Sequence, residues 1–231
     1  MSNLTILFYS ANLKPEPFAS NVRAKLLEVV NDPVISITHR PLDGFDTNAV
    51  ITMPVSTYSV YAQILIGARL ATSKFIACAE DDVLYPAEHF QFRPPQDDTF
   101  YYSKSRWWVE KDGFYRWRDR TVMSTCICNR ELYIAWAERL FEKFPVHPEK
   151  REDMTGWAEP SRYEWYLGLP KVKGDTFETE NPVVTFNAKP SLGGLRKIGP
   201  TDTIRTELPL WGDAKTLWRA YHDHNQLHRP P

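Results

Sequence analysis

The segment Lys74-Phe75-Ile76-Ala77-Cys78-Ala79-Glu80-Asp81-Asp82-Val83 constrains this chain most: an apolar run of strand length stops at three consecutive carboxylates. Adjacent negative charges repel one another and cost stability unless something cationic sits among them. Carboxylate oxygens suit Mg²⁺ or Mn²⁺, and such an ion can in turn hold phosphates. The carboxyl end of a strand is also where open α/β sheets place their ligands. A solvated loop following a strand is the plainer reading of the same residues.

The surrounding pattern alternates strand and helix. Leu4 to Tyr9 reads as a buried strand, followed by a polar turn at Ser10 and Asn12. A helix is predicted over Pro17 to Val30, with Val22, Leu26, Leu27 and Val30 on one face, and then a strand over residues 33–38. Residues 41–56 carry Gly, Asp, Asn and Pro and read as a long loop. A second helix from about Tyr58 to Ala71 leads into the strand that ends at Glu80. This β-α-β-α-β order predicts a parallel sheet with right-handed crossovers.

The second half is aromatic and basic. Thr99 to Val109 has strand composition, Lys111-Asp112-Gly113 is a turn signal, and Phe114 to Trp117 reads as the returning strand of a hairpin. Val122 to Cys128 reads as a strand running into a helix from about Arg130 to Phe144. A polar stretch over 145–161 precedes a short helix or turn, Ser161 to Leu169. Pro182 to Asn187 reads as a late strand, Gly193-Gly194 as a flexible loop and Asp213 to Tyr221 as a closing helix. With 231 residues and neither repeats nor a low-complexity linker, one domain is expected, with 1–95 binding nucleotide and 96–231 shaping an acceptor site.

Charge and cysteine content narrow the partners. A formal net charge of −1 supplies no global field for nucleic acid or membrane, so any polyanion must meet a local patch. No run approaches the roughly 18 apolar residues of a membrane span. The N-terminus lacks the basic region of a signal peptide. Cys78, Cys126 and Cys128 have no zinc spacing and fit reduced thiols, so a cytoplasmic location is expected.

The run from Tyr61 through Gln63, Gly67 and Arg69 to Ala71, followed by residues 74–82, resembles the helix, strand and acidic motif of GT-A-fold glycosyltransferases. It is most similar to the family-2 type, in which a Gly- and Ala-bearing helix precedes an apolar strand ending in Asp-x-Asp. Small bacterial and phage-encoded proteins of this type share a Tyr-Pro after the motif, as in Leu84-Tyr85-Pro86 here. The resemblance covers residues 3 to about 90 and extends more thinly to about 190.

It implies an α/β, Rossmann-like fold and transfer of a sugar from a nucleoside-diphosphate sugar with Mn²⁺ or Mg²⁺. Tyr9, Ser10, Ala11 and Asn12 would border the base, Thr38, His39 and Arg40 would lie near base or ribose, and Gln63 and Gly67 would face the nucleotide. Glu80 and Asp82 would take the outer positions of the acidic motif as metal ligands, with Asp81 between them beside the nucleotide. Glu in the first position departs from the family's Asp by one methylene.

An inverting transfer also needs a carboxylate base for the acceptor hydroxyl. By the same resemblance it opens a late helix, which matches Gly156 to Trp165. Pro160 suits a first helical position, so Glu159 is the first choice, Glu164 the second and the pair Glu152-Asp153 the third. By the same resemblance His222 or His224 would add a late metal ligand, and Asn187 would occupy the equivalent place without supplying a strong one. Lys189, Arg196 and Lys197 around Gly193-Gly194 would close over the diphosphate.

Arg106, Trp107, Trp108, Arg116 and Trp117 interleave aromatic and basic side chains, as glycan or nucleic-acid sites do. A hydroxymethylated pyrimidine in DNA is one acceptor of this kind and would have to be flipped out of a duplex. Strand alternation with core tryptophans produces the same pattern. Two other functions fit the residues: a GT-A-like nucleotidyltransferase, against which the loop Ser10 to Lys14 lacks glycine, and a non-catalytic glycan- or nucleic-acid-binding module.

Overall fold

The computed structural model describes residues 2–145, 159–190 and 197–222. In chain order the elements are β1 (Leu4–Ser10), α1 (Phe18–Val29), β2 (Val34–Thr38), β3 (Thr47–Val50), α2 (Thr57–Leu70), β4 (Phe75–Glu80), β5 (Val83–Leu84), β6 (Thr99–Ser103), β7 (Arg106–Glu110), β8 (Phe114–Trp117), β9 (Cys126–Asn129), α3 (Arg130–Lys143), α4 (Glu164–Leu167), β10 (Lys173–Phe177), β11 (Val183–Phe186), β12 (Thr203–Arg205), β13 (Glu207–Leu208), β14 (Gly212–Asp213) and α5 (Ala214–His222). Among the described residues, no helix is long and apolar enough to cross a membrane.

The larger sheet runs β10-β6-β9-β4-β1-β2-β3. β3, β2, β1 and β4 are mutually parallel, and β9 enters antiparallel between β4 and β6. The fold is therefore mixed α/β with a Rossmann-like half. Chain order reverses at β1: β2 and β3 lie to one side and β4 to the other. A crevice opens outside the carboxyl ends of strands at such a point.

β1, β2 and nearly all of β4 are buried continuously, as strands covered on both faces must be. α2 and α3 cover one face through Tyr61, Ile64, Tyr133 and Trp136. Phe8, Leu26, Tyr85 and Phe90 pack on the other. α2 begins at a capping box, in which Ser59 N–H donates to the Ser56 hydroxyl at 3.1 Å and Ser56 N–H donates to that of Ser59 at 3.0 Å.

The smaller sheet runs β12-β8-β7-β11-β5 and packs on α1 and α5 through Phe18, Val109, Tyr115 and Phe186. Three times the chain steps from the larger sheet into the smaller: β4 to β5, β6 to β7 and β10 to β11. The first step is the acidic triplet. β4 ends at Glu80, β5 starts at Val83, and Asp81-Asp82 form the corner between the sheets.

Four expectations change. The loop over 41–56 contains β3, an exposed edge strand with little apolar signal. Asn48 secures it by donating to the Ser36 hydroxyl at 2.7 Å and the Thr38 hydroxyl at 3.0 Å. Thr99 to Val109 is two strands rather than one. At Lys104-Ser105 the chain leaves β10, with Lys104 N–H on Phe177 O at 2.9 Å, and meets β11, where Val183 N–H donates to Ser105 O at 2.7 Å. Val122 to Cys128 holds a 3-10 turn (Met123–Thr125) before β9. The late helix starts at Glu164 instead of Pro160, because Ser161 turns left-handed at φ 73° and breaks a helical start. The hairpin of β7 and β8 around residues 111–113 forms as its turn signal predicts.

Candidate active site

A cavity opens outside the carboxyl ends of β1 and β4 and is closed on its far side by β7 and β11. Tyr9, Ser10, Ala11, Gln63, Glu80, Asp81, Asp82, Arg106, Trp108, Glu159 and Asn187, all candidates from sequence, line it together. Lys14, Tyr61, Arg120, Ser124 and Thr185 join them without having been singled out for the site.

The corner between the sheets is fixed by backbone. Tyr85 hydroxyl donates to Ser124 O at 2.8 Å and accepts from Glu80 N–H at 3.1 Å. Phe186 N–H donates to Asp82 O at 2.9 Å, tying the corner to β11. Each acidic side chain then meets a separate donor. Tyr9 hydroxyl donates to Glu80 Oε1 at 2.8 Å, Ser10 hydroxyl donates to Asp81, and Lys14 Nζ contacts Asp82 Oδ2 at 2.8 Å.

Burial pushes the Glu80 carboxyl up to about 7, with the charges of Asp82 and Asp81 adding to it and the Tyr9 hydroxyl opposing. Burial and the Asp82 charge push Asp81 up to about 6, against Ser10 and Lys14. The repulsion foreseen for adjacent carboxylates is thus present, and Lys14 offsets part of it at Asp82.

A divalent ion needs oxygen donors converging at one point. Here the donors diverge onto separate partners, Lys14 occupies Asp82, and no group of three or more His, Cys, Asp or Glu side chains gathers among the described residues. As arranged, the triplet does not fit a metal.

Gln63 is buried in α2, and its Nε2 donates to Ser10 O at 2.9 Å and Ile37 O at 2.7 Å. Both partners are carbonyls, so the network itself orients the amide. Its Oε1 is buried and has no partner among the described residues.

Across the cavity, Glu159 is 5% exposed and its Oε1 lies 3.9 Å from Arg120 Nη2. Tyr102 hydroxyl, from β6, donates to Pro160 O at 2.8 Å and holds this segment. Arg106 stacks on Trp108 with its guanidinium 3.7 Å from the ring centre, and its Nε donates to Thr185 at 3.1 Å.

Other candidates stand elsewhere. Asn12 Oδ1 accepts from His39 N–H at 2.8 Å and Arg40 N–H at 2.9 Å, while Thr38 hydroxyl donates to Arg40 O at 2.7 Å; these residues brace the loops beside the cavity. Gly67 faces the sheet rather than the cavity, since a Cβ there would come 2.5 Å from Ile37 Cδ1. Glu164 is an internal acceptor, taking Ser161 N–H at 2.6 Å and Trp136 Nε1–H at 3.2 Å.

Arg116 is buried between Glu110 at 2.7 Å and Asp202 at 3.1 Å, which removes it from any acceptor surface. Trp107 and Trp117 pair across the hairpin outside the cavity, as strand alternation dictates. His222 stacks on Trp218 at 4.2 Å and lies tilted against Phe18 at 4.5 Å, in the contact of α5 with α1. Lys189 and Lys197 are exposed. Arg196, Glu152, Asp153, His224 and Gly193-Gly194 lie outside the described residues.

No family model and no curated protein matches the chain. Among solved structures, it is similar to a glycosyltransferase involved in the glycosylation of the major capsid of PBCV-1, with a TM-score of 0.49 and 7% identity over 80% of this chain and 92% of that one. HddC from Yersinia pseudotuberculosis matches with a TM-score of 0.44 and 9% identity over 78% and 92% of the two chains. Mannose-1-phosphate geranyltransferase from Thermus thermophilus matches at 0.43 and 8%, over 95% and 97%. Likeness at this level carries no chemistry from one protein to another.

Proposed function

We propose that the cavity is the donor site of a glycosyltransferase that moves a sugar from a nucleoside-diphosphate sugar to an acceptor hydroxyl with inversion. The observation that supports this reading is the composition of one cavity at the strand-order reversal. Cationic Lys14, Arg106 and Arg120 share it with the acidic triplet and a further carboxylate, Glu159.

The nucleoside lies over Tyr9, Ser10, Ala11 and Gln63, and the diphosphate lies toward Lys14 and the arginines, whose charge offsets that of the departing phosphate. Glu159 takes the proton from the acceptor hydroxyl as the bond to the sugar carbon forms, and the nucleoside diphosphate leaves. Arg120 orients the carboxylate. Arg106, stacked on Trp108, lines the part of the cavity that meets the acceptor, a glycan or a hydroxymethylated pyrimidine.

The test is nucleoside diphosphate release from UDP-, GDP- and ADP-sugars, with candidate acceptors and with Mn²⁺, Mg²⁺ or EDTA. Glu159→Gln is expected to lower kcat by about 10²–10⁴-fold while donor affinity holds. Unchanged kcat would remove Glu159 from the chemistry, and no turnover or nucleotide binding across the panel would remove the reading. Lys14, on the loop after β1, also favours a second reading, nucleotidyl transfer, for which pyrophosphate would be the product.

A further inference from the structure

The cation demanded by the acidic corner is already part of the chain. Lys14 lies on the loop between β1 and α1, its side chain is 5% exposed, and its ammonium sits 2.8 Å from Asp82 Oδ2 and 3.1 Å from Ala188 O. Burying an ammonium so deeply is costly without an opposite charge beside it, which Asp82 provides. The contact to Ala188 ties the same group to the segment just after β11, so the acidic corner and that segment together hold Lys14 at the cavity.

Two of its three N–H donors have partners among the described residues, and the third can meet an anionic oxygen. A dication on Asp82 would stand within a few ångströms of this ammonium, and like charges at that range exclude one another in a buried site. Arg106 and Arg120 line the same space, so positive charge reaches a diphosphate from more than one side.

We propose that Lys14 occupies the place of a divalent metal here: held between Asp82 and the Ala188 carbonyl, its ammonium binds the diphosphate of a nucleoside diphosphate without metal. The inference rests on the nucleotide-site reading of the cavity and departs from the Mn²⁺ or Mg²⁺ that the family resemblance implies. Donor binding and turnover then persist in EDTA.

The experiment is calorimetric titration of UDP, GDP and ADP into wild type, Lys14→Gln and Lys14→Arg, in EDTA and then with excess Mn²⁺ or Mg²⁺. At least one nucleotide is expected to bind wild type in EDTA, with metal altering Kd by less than about threefold. Lys14→Gln is expected to weaken that binding by about 10–100-fold and Lys14→Arg to keep most of it. Wild-type binding that appears only with metal overturns the proposal, as does a Lys14→Gln protein that binds like wild type in EDTA.

A protein that binds none of the three in either condition overturns the nucleotide-site reading itself, and the inference with it. Should Lys14→Gln fail to fold, the wild-type comparison of EDTA with metal still decides. Electron paramagnetic resonance of Mn²⁺ mixed with the nucleotide-free protein adds a readout independent of turnover. An undiminished free-ion signal is expected, and its stoichiometric loss would overturn the proposal.

Discussion

His89 lies in the 3-10 turn Ala87–Gln91 behind the acidic corner, fully buried among Tyr85, Phe90 and Phe177. Neither ring nitrogen has a hydrogen-bond partner among the described residues, and burial pushes the imidazole down from 6.5 to about 3. A histidine depressed in this way is neutral in the fold and charges on unfolding. Above pH 6.5 its titration therefore costs nothing, and stability falls as pH drops from 6.5 toward 3. His89→Leu should flatten the loss of stability between pH 7 and pH 5, as read by urea unfolding at each pH against wild type. Because the ring nitrogens make no bond to lose, the variant should be close to wild type or more stable at pH 7. Equal slopes in the two proteins would show that His89 does not titrate as its burial requires.

At the scale of elements, the cavity depends on how closely α2 approaches β1 and β2. Gly67 allows that approach: a Cβ would lie 2.5 Å from Ile37 Cδ1 and 3.1 Å from Leu7 Cδ2, both in the core. Gly67→Val should cost about 2 kcal/mol by overpacking. It should also weaken nucleotide binding, because lifting α2 draws Gln63 away from the carbonyls of Ser10 and Ile37. Chemical denaturation and calorimetry check the two effects, and full stability with wild-type affinity would contradict the packing role. The glycine was legible as part of a helix before the strand; which way it pointed was not. Helical spacing puts residues 63 and 67 on one face but leaves unstated whether sheet or ligand meets it.

At the scale of the molecule, the smaller sheet is anchored to the late chain by charge. Arg116, 1% exposed, bridges Glu110 and Asp202, and Arg118 reaches the same Asp202 at 2.5 Å. Burial of Asp202 pushes its carboxyl up, but the bonds from Arg118, Gly199 N–H and Arg116 outweigh this and hold it at about 2. A depressed carboxylate stabilises the fold above its unfolded value of 3.8 and loses that contribution as pH falls toward 2. Asp202→Ala should cost about 1–3 kcal/mol at neutral pH by removing one of the carboxylates that hold Arg116, which keeps Glu110. The deficit should shrink below pH 3.8, which acid unfolding followed by circular dichroism would reveal. An equal deficit at every pH would mean that packing, not charge, holds the two segments together.

The sequence by itself determined the parallel β-α-β-α-β start, the acidic end of β4, the hairpin and the helices that cover the sheet, because hydrophobic period and turn chemistry are local signals. It also picked out Glu80 and Asp82, since clustered carboxylates are conspicuous in any chain, whereas Glu159 came from the family resemblance and does not open the late helix, which starts at Glu164. Only the tertiary structure decided which of these residues meet. Arg116 and Trp117 were indistinguishable in sequence from Arg106 and Trp108, yet the sheet pleat and a buried ion cluster remove the first pair from the cavity. Lys14 had no local signal, for its role depends on Asp82 and Ala188, 68 and 174 residues away. The cation that three adjacent carboxylates require is a local electrostatic demand; whether lysine or metal answers it depends on what the long-range fold brings within 3 Å.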